Sequence, residues 1–350
     1  MNLAGLSVRA QIHAPMRLLV PLLALTVLMT PAAPTARAQD ATAENGLVGL
    51  TLPLGARVIG QGRAIAAARG ELQGVPYNPA ALTGFDRGAV TYSRFEAADA
   101  AEFNSNYVAG AVATTWGTIG ASLIYHDYGE IPLTVDSPAS VGTISLSEWV
   151  VGLTYANVWR EKLAYGATAK WYRSDLGVAE ASGPAFDAGV IYTPRPVVPI
   201  DVALSLRNLG PDLGFEDGAS ATGGSEDGGE REETLPGRVR VGLAVHPDRF
   251  LGLPPAYAVR LLFDVESDVR EISTSSQHAG AMLTVNEVVV VRGGVLLADN
   301  PFLESGDDDR QVGGAFGIGF RYRGFEADIA REVSVSELGD ETHFAVGYSF

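Results

Sequence analysis

From about residue 89 to residue 350 the chain keeps one rhythm. Stretches of alternating apolar and small or polar residues, mostly nine to twelve long, are separated by turn signals. Fourteen such stretches can be counted: 89–95, 106–115, 118–128, 147–157, 163–173, 185–193, 200–209, 237–246, 256–266, 276–285, 288–298, 311–322, 325–333 and 342–350. Their length suits a tilted strand crossing a bilayer and exceeds that of most soluble strands. The joins largely alternate between short and long. Trp116-Gly117, 158–162, Asn286-Glu287 and Arg323-Gly324 are short, whereas 96–105, 129–146, 174–184, 210–236, 299–310 and 334–341 are long. The Pro-containing joins 194–199 and 247–255 fall at short-side positions, as stiff turns. Up-and-down transmembrane barrels have short turns at one end and long loops at the other. The expected fold is therefore all-β: an antiparallel barrel of about fourteen strands, with both termini at the short-turn, periplasmic end.

The two faces of the stretches differ in kind. Val239, Val241, Leu243 and Val245 oppose Arg238, Arg240, Gly242 and Ala244; Tyr257, Val259, Leu261, Phe263 and Val265 oppose Ala258, Arg260, Asp264 and Glu266. Val312, Phe316, Ile318, Phe320 and Tyr322 oppose a face of Gly, Ala and Arg321. One face fits lipid and the other a wet or plugged lumen. In the last stretch Phe344, Val346, Tyr348 and Phe350 share the lipid face. A strand ending on Phe350 resembles the terminal signal of bacterial outer-membrane proteins, which implies the barrel-assembly machinery as a partner.

The front of the chain reads as an export signal. Arg9 and Arg17 precede the apolar run 18–30, and Ala36-Arg37-Ala38 forms a cleavage site, giving a cleaved segment 1–38 and a mature start at Gln39. No later apolar run is long enough to span a bilayer as a helix, which leaves a closed barrel as the spanning structure. There is no Cys, so neither disulfides nor thiolate metal sites exist. The net charge of −16 becomes −19 once three signal-segment arginines are removed. Such acidity excludes nucleic acid, which needs a basic footprint. The acidic loop 210–236 and Asp307-Asp308-Asp309 carry oxygen ligands suited to calcium but lack the spaced EF-hand pattern, so they read as solvated loops, and neither a metal site nor a cofactor is expected.

Residues 39–88 do not alternate. They contain Gly55-Ala56-Arg57-Val58-Ile59-Gly60-Gln61-Gly62-Arg63-Ala64, then Asn78-Pro79-Ala80-Ala81-Leu82. Gly60-Gln61-Gly62 is no dinucleotide fingerprint, since Ile65 stands where the third Gly belongs and no βαβ unit follows. The pattern G-A-R-x-x-G-x-G-x-A followed by x-N-P-A-x-L, ahead of a barrel, resembles the PorV/PorQ family, itself related to FadL-type long-chain fatty acid transporters. Gly55, Ala56, Arg57, Gly60, Gly62 and Ala64 match the first block; Asn78, Pro79, Ala80 and Leu82 match the second. Between them the family's acidic pair is replaced by Arg69-Gly70-Glu71, and Tyr77 precedes the Asn.

The resemblance implies that segment 39–88 folds inside the barrel 89–350 as a plug. Gly would let its backbone approach the wall. Arg57, Arg63 and Arg69 are expected to meet inward acids such as Asp264, Glu266, Glu326 and Asp328, because buried charges need partners. Asn78-Pro79 is expected to turn the chain from plug to first strand.

The functional expectation is passive passage of a hydrophobic or amphipathic small molecule through a monomeric outer-membrane barrel, with the lipid bilayer as its surroundings. The alternative is a PorV-like accessory of type IX secretion that collects exported cargo. Catalysis is not expected: His126, His246, His278 and His343 fall in different stretches, and neither a GxSxG elbow nor an HExxH helix occurs. A Ser–His pair in the lumen stays open at this point.

Overall fold

The structure is a computed structural model describing residues 47–97, 103–134, 140–177, 179–194, 199–217, 231–270, 275–299, 310–333 and 341–350. The expected signal segment 1–38, Phe302 and the acidic stretches 218–230 and 301–309 lie outside the described residues. Seven strands come first: β1 (Gly88–Ala97), β2 (Asn104–Thr114), β3 (Gly117–Thr134), β4 (Ser140–Trp159), β5 (Leu163–Asp175), β6 (Ala179–Tyr192) and β7 (Ile200–Leu209). A short pair follows, β8 (Leu213–Asp217) and β9 (Arg231–Glu233). Seven more are β10 (Arg238–Val245), β11 (Tyr257–Asp268), β12 (Ser275–Val285), β13 (Val289–Asp299), β14 (Arg310–Tyr322), β15 (Phe325–Val333) and β16 (Glu341–Ser349).

Fourteen of these strands form a closed antiparallel barrel. Barrel neighbours in sequence pair with each other, and β7 pairs with β10 across the short hairpin. β1 closes on β16 in an unbroken register from Ala89↔Ser349 to Ala97↔Glu341. Closure leaves no edge strand unpaired.

Alternation explains why these residues form these walls. In β16, His343 and Ala345 are buried while Phe344 and Val346 are exposed. The exposed face of the barrel is largely apolar, with Val, Leu, Ile and Phe along strands such as β2, β4, β14 and β16. At the short-turn end it carries a collar of exposed aromatics that includes Trp116, Trp159, Tyr192, Tyr322 and Phe325. An apolar band flanked by aromatic rings is the surface that a lipid bilayer stabilises. The short turns are built for tight reversal. Arg160-Glu161, Asn286-Glu287 and Arg323-Gly324 all take positive φ at both positions, matching the strand twist as two-residue hairpin turns do.

The wall departs from the sequence pattern in three places. β3, β4 and β6 run well past their expected ends on the long-loop side, to Thr134, from Ser140 and from Ala179. Val259 shares the lipid-side parity of β11 yet is buried, because the short helix Asp248–Leu251 packs there and Val259 N–H donates to Asp248 at 3.3 Å. The β8–β9 hairpin is an addition that alternation did not reveal. It pairs with β6 at Ala179↔Asp217, and Leu213, Phe215 and Leu235 drop into the same apolar cluster as Leu47, Leu54, Tyr107 and Tyr172.

Residues 47–83 pack against the inward face of this wall. They form one helical turn, Ala56–Ile59, and three 3₁₀ turns, Val48–Leu50, Leu72–Gly74 and Pro79–Leu82. Leu47, Leu54, Val58, Ile59, Ile65, Leu72, Val75 and Leu82 are all buried, so the segment supplies the apolar interior that the small inward residues of the strands leave room for.

Candidate functional site

The lumen contents are fixed by contacts between the inner segment and inward-facing strand residues. Gly62 marks the closest approach. Its φ of 65° lies in the left-handed region, and a Cβ there would stand 2.6 Å from the Val295 amide nitrogen. Across from it, a Cβ on Gly294 of β13 would strike the backbone of Gln61 and Gly62. Glycine on both partners lets main chain touch main chain.

Asn78, fully buried, ties three pieces together. Its Oδ1 accepts from Ala80 N–H at 3.0 Å and caps the Pro79–Leu82 turn, while its Nδ2 donates to Ala66 at 2.8 Å and to Val190 of β6 at 3.4 Å. Pro79 occupies the first position of that turn, where its missing N–H costs nothing. Gly55, Ala56, Gly60, Ala64 and Ala80 are buried around these contacts.

Two charged networks join several strands to the inner segment. Toward the short-turn end, Arg57 Nε meets Asp328 at 2.7 Å, its Nη1 meets Glu71 at 3.2 Å, and its Nη2 pairs with Glu326. Arg292 also holds Asp328, at 2.7 Å, and Arg321 reaches Glu326 at 3.3 Å. Burial works against the charge of Arg57, but Glu71, Asp328 and Glu326 outweigh it and hold its pKa well above the ordinary arginine value. Toward the long-loop end, Arg240 meets Glu266 at 2.6 Å and Asp264 at 3.1 Å, and Arg207 also pairs with Glu266. Asp264 accepts from the N–H groups of Ile65 and Ala66 at 2.8 and 2.9 Å, so it grips inner-segment backbone rather than an inner-segment arginine.

Two further expectations, for Arg63 and Arg69, need correction, and two lumen charges, Arg238 and Arg260, stand outside the networks. Arg63 pairs with Glu332 at 2.6 Å, a residue not among the expected acids. Arg69 pairs with no acid among the described residues; it donates to the carbonyl of Ile191 at 3.0 Å and to Thr193 at 3.1 Å, at the rim where strand carbonyls are accessible. Arg238 is half-buried at the long-loop end of β10, opposite Arg207 and Asp268, and joins neither network among the described residues. Arg260 faces inward without an ion pair among the described residues.

A β-bulge explains a residue pair that strict alternation hides. Between Phe186↔Leu209 and Ala188↔Leu206 the register shifts, so Arg207 and Asn208 together oppose Asp187. Asn208 takes a φ of 55°, and both consecutive side chains are buried. Asp187 accepts from Asn208 N–H at 2.8 Å and from Lys170 at 2.7 Å, and Lys170 also donates to Asn208 Oδ1. The signal available for Lys170, Arg292 and Glu332 was parity alone.

Beside the bulge is an amphipathic cavity of about 30 Å³. Leu50, Leu52, Leu54, Val75, Ile124 and Val150 line it on the apolar side, and Lys170, Asp187, Arg207 and Asn208 on the polar side. Its cover is the stretch from Gly49 to Leu54. Gly49 is held by His126, whose Nε2 donates to its carbonyl at 3.0 Å. Leu54 is held by Tyr77, whose hydroxyl accepts from Leu54 N–H at 2.8 Å and donates to Leu54 C=O at 3.1 Å. Arg240 and Arg207 lie over the Tyr77 ring, 5.0 and 5.4 Å from its centroid.

A Ser–His pair does occur in the lumen: Ser276 Oγ is 3.0 Å from His278 Nε2. His278 Nδ1 donates to the carbonyl of Gly62 at 3.1 Å, so the ring is oriented by inner-segment backbone and holds that segment in turn. His246 pairs with Asp201 at 2.9 Å and His343 with Glu341 at 3.4 Å, each on its own side of the barrel.

No protein-family model matches the sequence, and no curated relative does. Solved structures do match in shape. The CymD monoaromatic hydrocarbon channel superposes with a TM-score of 0.56 at 12% identity, over 87% of this chain and 99% of that one. The toluene transporter TodX of Pseudomonas putida gives 0.54 at 12% identity, over 85% and 98%. A FadL homologue of Pseudomonas aeruginosa gives 0.52 at 10% identity, over 85% and 99%. At such identities the likeness is one of fold: this chain has the barrel architecture of FadL-type channels.

Proposed function

We propose that this chain is an outer-membrane barrel that lets a hydrophobic or amphipathic small molecule cross without chemical change. The observation that carries the reading is the amphipathic cavity between the inner segment and β3–β7. Its apolar side chains suit a hydrocarbon body, and Lys170 and Arg207 beside them suit a polar head. At about 30 Å³ it holds a few waters and no organic solute. A solute therefore has to displace the Gly49–Leu54 cover, which is held by the His126 and Tyr77 hydrogen bonds. Exchange of those leucines for a ligand of similar apolarity costs little, since one apolar surface replaces another. The similarity of fold to CymD and TodX favours monoaromatic hydrocarbons as the first substrates to try.

The secretion-accessory alternative rests on the 55–64 and 78–82 motif. Gly55, Ala56, Arg57, Gly60, Gly62, Ala64, Asn78, Pro79, Ala80 and Leu82 are all buried within the barrel, so the motif itself offers an exported cargo no surface. That burial favours a role in holding the inner segment. The deciding experiment is uptake into proteoliposomes of labelled toluene and a labelled long-chain fatty acid. Flux of either above that of empty vesicles is expected; equal flux for both would refute the transport reading.

A further inference from the structure

We infer that the short-turn end of the lumen contains an oxyanion site, built by Arg260, Arg292 and Arg69 in a cavity separate from the amphipathic one. This cavity measures about 80 Å³, against about 10–15 Å³ needed for one water. Five arginines line it: Arg57, Arg69, Arg260, Arg292 and Arg321. Glu71 is the carboxylate in its lining, and Glu326 and Asp328 stand behind it. Arg57 takes a share of all three acids, Arg292 shares Asp328, and Arg321 shares Glu326. Five positive and three negative charges leave a surplus of two positives around the cavity. Asp201, the next acid in electrostatic reach of Arg69 and Arg260, is already engaged by His246 and Thr193.

Geometry points the same way as charge. Arg260 Nε, Arg292 Nη2 and Arg69 Nε are buried donors with no hydrogen-bond partner among the described residues. Buried guanidinium N–H groups without acceptors are costly, and a carboxylate or phosphate supplies several acceptor oxygens together with the missing charge. These guanidiniums come from two neighbouring regions of wall, β11 and β13, and from the inner segment, so a bound oxyanion would bridge wall and segment. Met282 of β12 is in the same lining, adding an apolar contact for a group attached to the anion. The site stands apart from the transport reading: hydrocarbon flux can fail while the anion binds, and the reverse.

The test is isothermal titration of the purified, detergent-folded full chain with sodium benzoate and, separately, inorganic phosphate. Binding of at least one is expected, and Arg260→Gln should weaken it about tenfold or more, as loss of a charged hydrogen bond does. Arg173→Gln, at an exposed arginine on β5, should leave it unchanged. Preference for benzoate assigns the site to the acid head of an organic solute, and preference for phosphate to an inorganic counter-ion; either supports an oxyanion site. Binding of neither to the unmodified protein, or equal binding by Arg260→Gln, overturns it. Should that variant fail to fold, crystals of the unmodified protein soaked in 4-bromobenzoate and in selenate provide the readout. Anomalous density for either beside Arg260 and Arg292 sustains the proposal, and its absence for both refutes it.

Discussion

Arg57 and Asp328 are 271 positions apart, and their side chains meet at 2.7 Å inside the barrel. This contact joins the inner segment to β15, and Arg292 on β13 shares the same carboxylate. Removing one member of a buried ion cluster leaves the others uncompensated and costs about 3–5 kcal/mol. Arg57→Leu is therefore expected to lower unfolding stability by that order in urea titrations of the vesicle-inserted barrel. It should also raise ion conductance in planar bilayers, because the segment loses its main anchor at the short-turn end. An unchanged midpoint with unchanged conductance would count against the anchoring role.

Tyr77 is the clasp on the cover of the amphipathic cavity. Tyr77→Phe deletes both hydrogen bonds to Leu54 while keeping the ring beneath Arg207 and Arg240. Stability should fall only by about 1–3 kcal/mol, for one buried N–H and one C=O left unpaired. Hydrocarbon uptake into proteoliposomes should rise several-fold, as expected when a cover opens more often. Reduced uptake would mean the clasp helps the solute across.

Asn78 and Pro79 hold the return path of the inner segment. The double variant Asn78→Ala, Pro79→Ala removes a turn cap worth about 1 kcal/mol and two further buried hydrogen bonds. Poor assembly or a leakier pore is expected, read by the heat-shifted mobility of the folded barrel on gels and by conductance. Normal behaviour in both would remove the pair from any role in seating the segment.

Gly62 tests the main-chain contact with the wall. Gly62→Val places a β-branched side chain at a φ of 65° and drives it into Val295 and Ala279. The strand ladder itself is untouched, so the barrel should still form, with residues near 62 newly open to added protease in detergent. Protection equal to that of the unmodified chain would show that the wall yields instead.

The barrel was legible because its signals are local. Period-two alternation fixes which side chains of β10, β14 and β16 meet lipid, and paired positive-φ turns such as Asn286-Glu287 fix where strands reverse. What escaped depends on contacts distant in sequence. The bulge that turns both Arg207 and Asn208 inward is set by Asp187 on the neighbouring strand, and nothing in the β7 run itself marks it. Arg63 takes a φ of 64° on its way to Glu332, and Arg69 reaches strand carbonyls at the rim; composition encodes neither path. The β8–β9 hairpin hid in a loop whose Gly-rich acidic character masks the buried Leu213, Phe215 and Leu235.

The two cavities have no lining residue in common, and the inner segment contributes to both, with Gly49 to Leu54 and Val75 to Tyr77 on one and Arg57 to Glu71 on the other. On the proposed transport route a solute therefore has to shift that segment, as a boat waits on a lock gate. Throughput on that route is then set by how often the segment yields, and the expected result is a flux that levels off at high external concentration instead of climbing with the gradient.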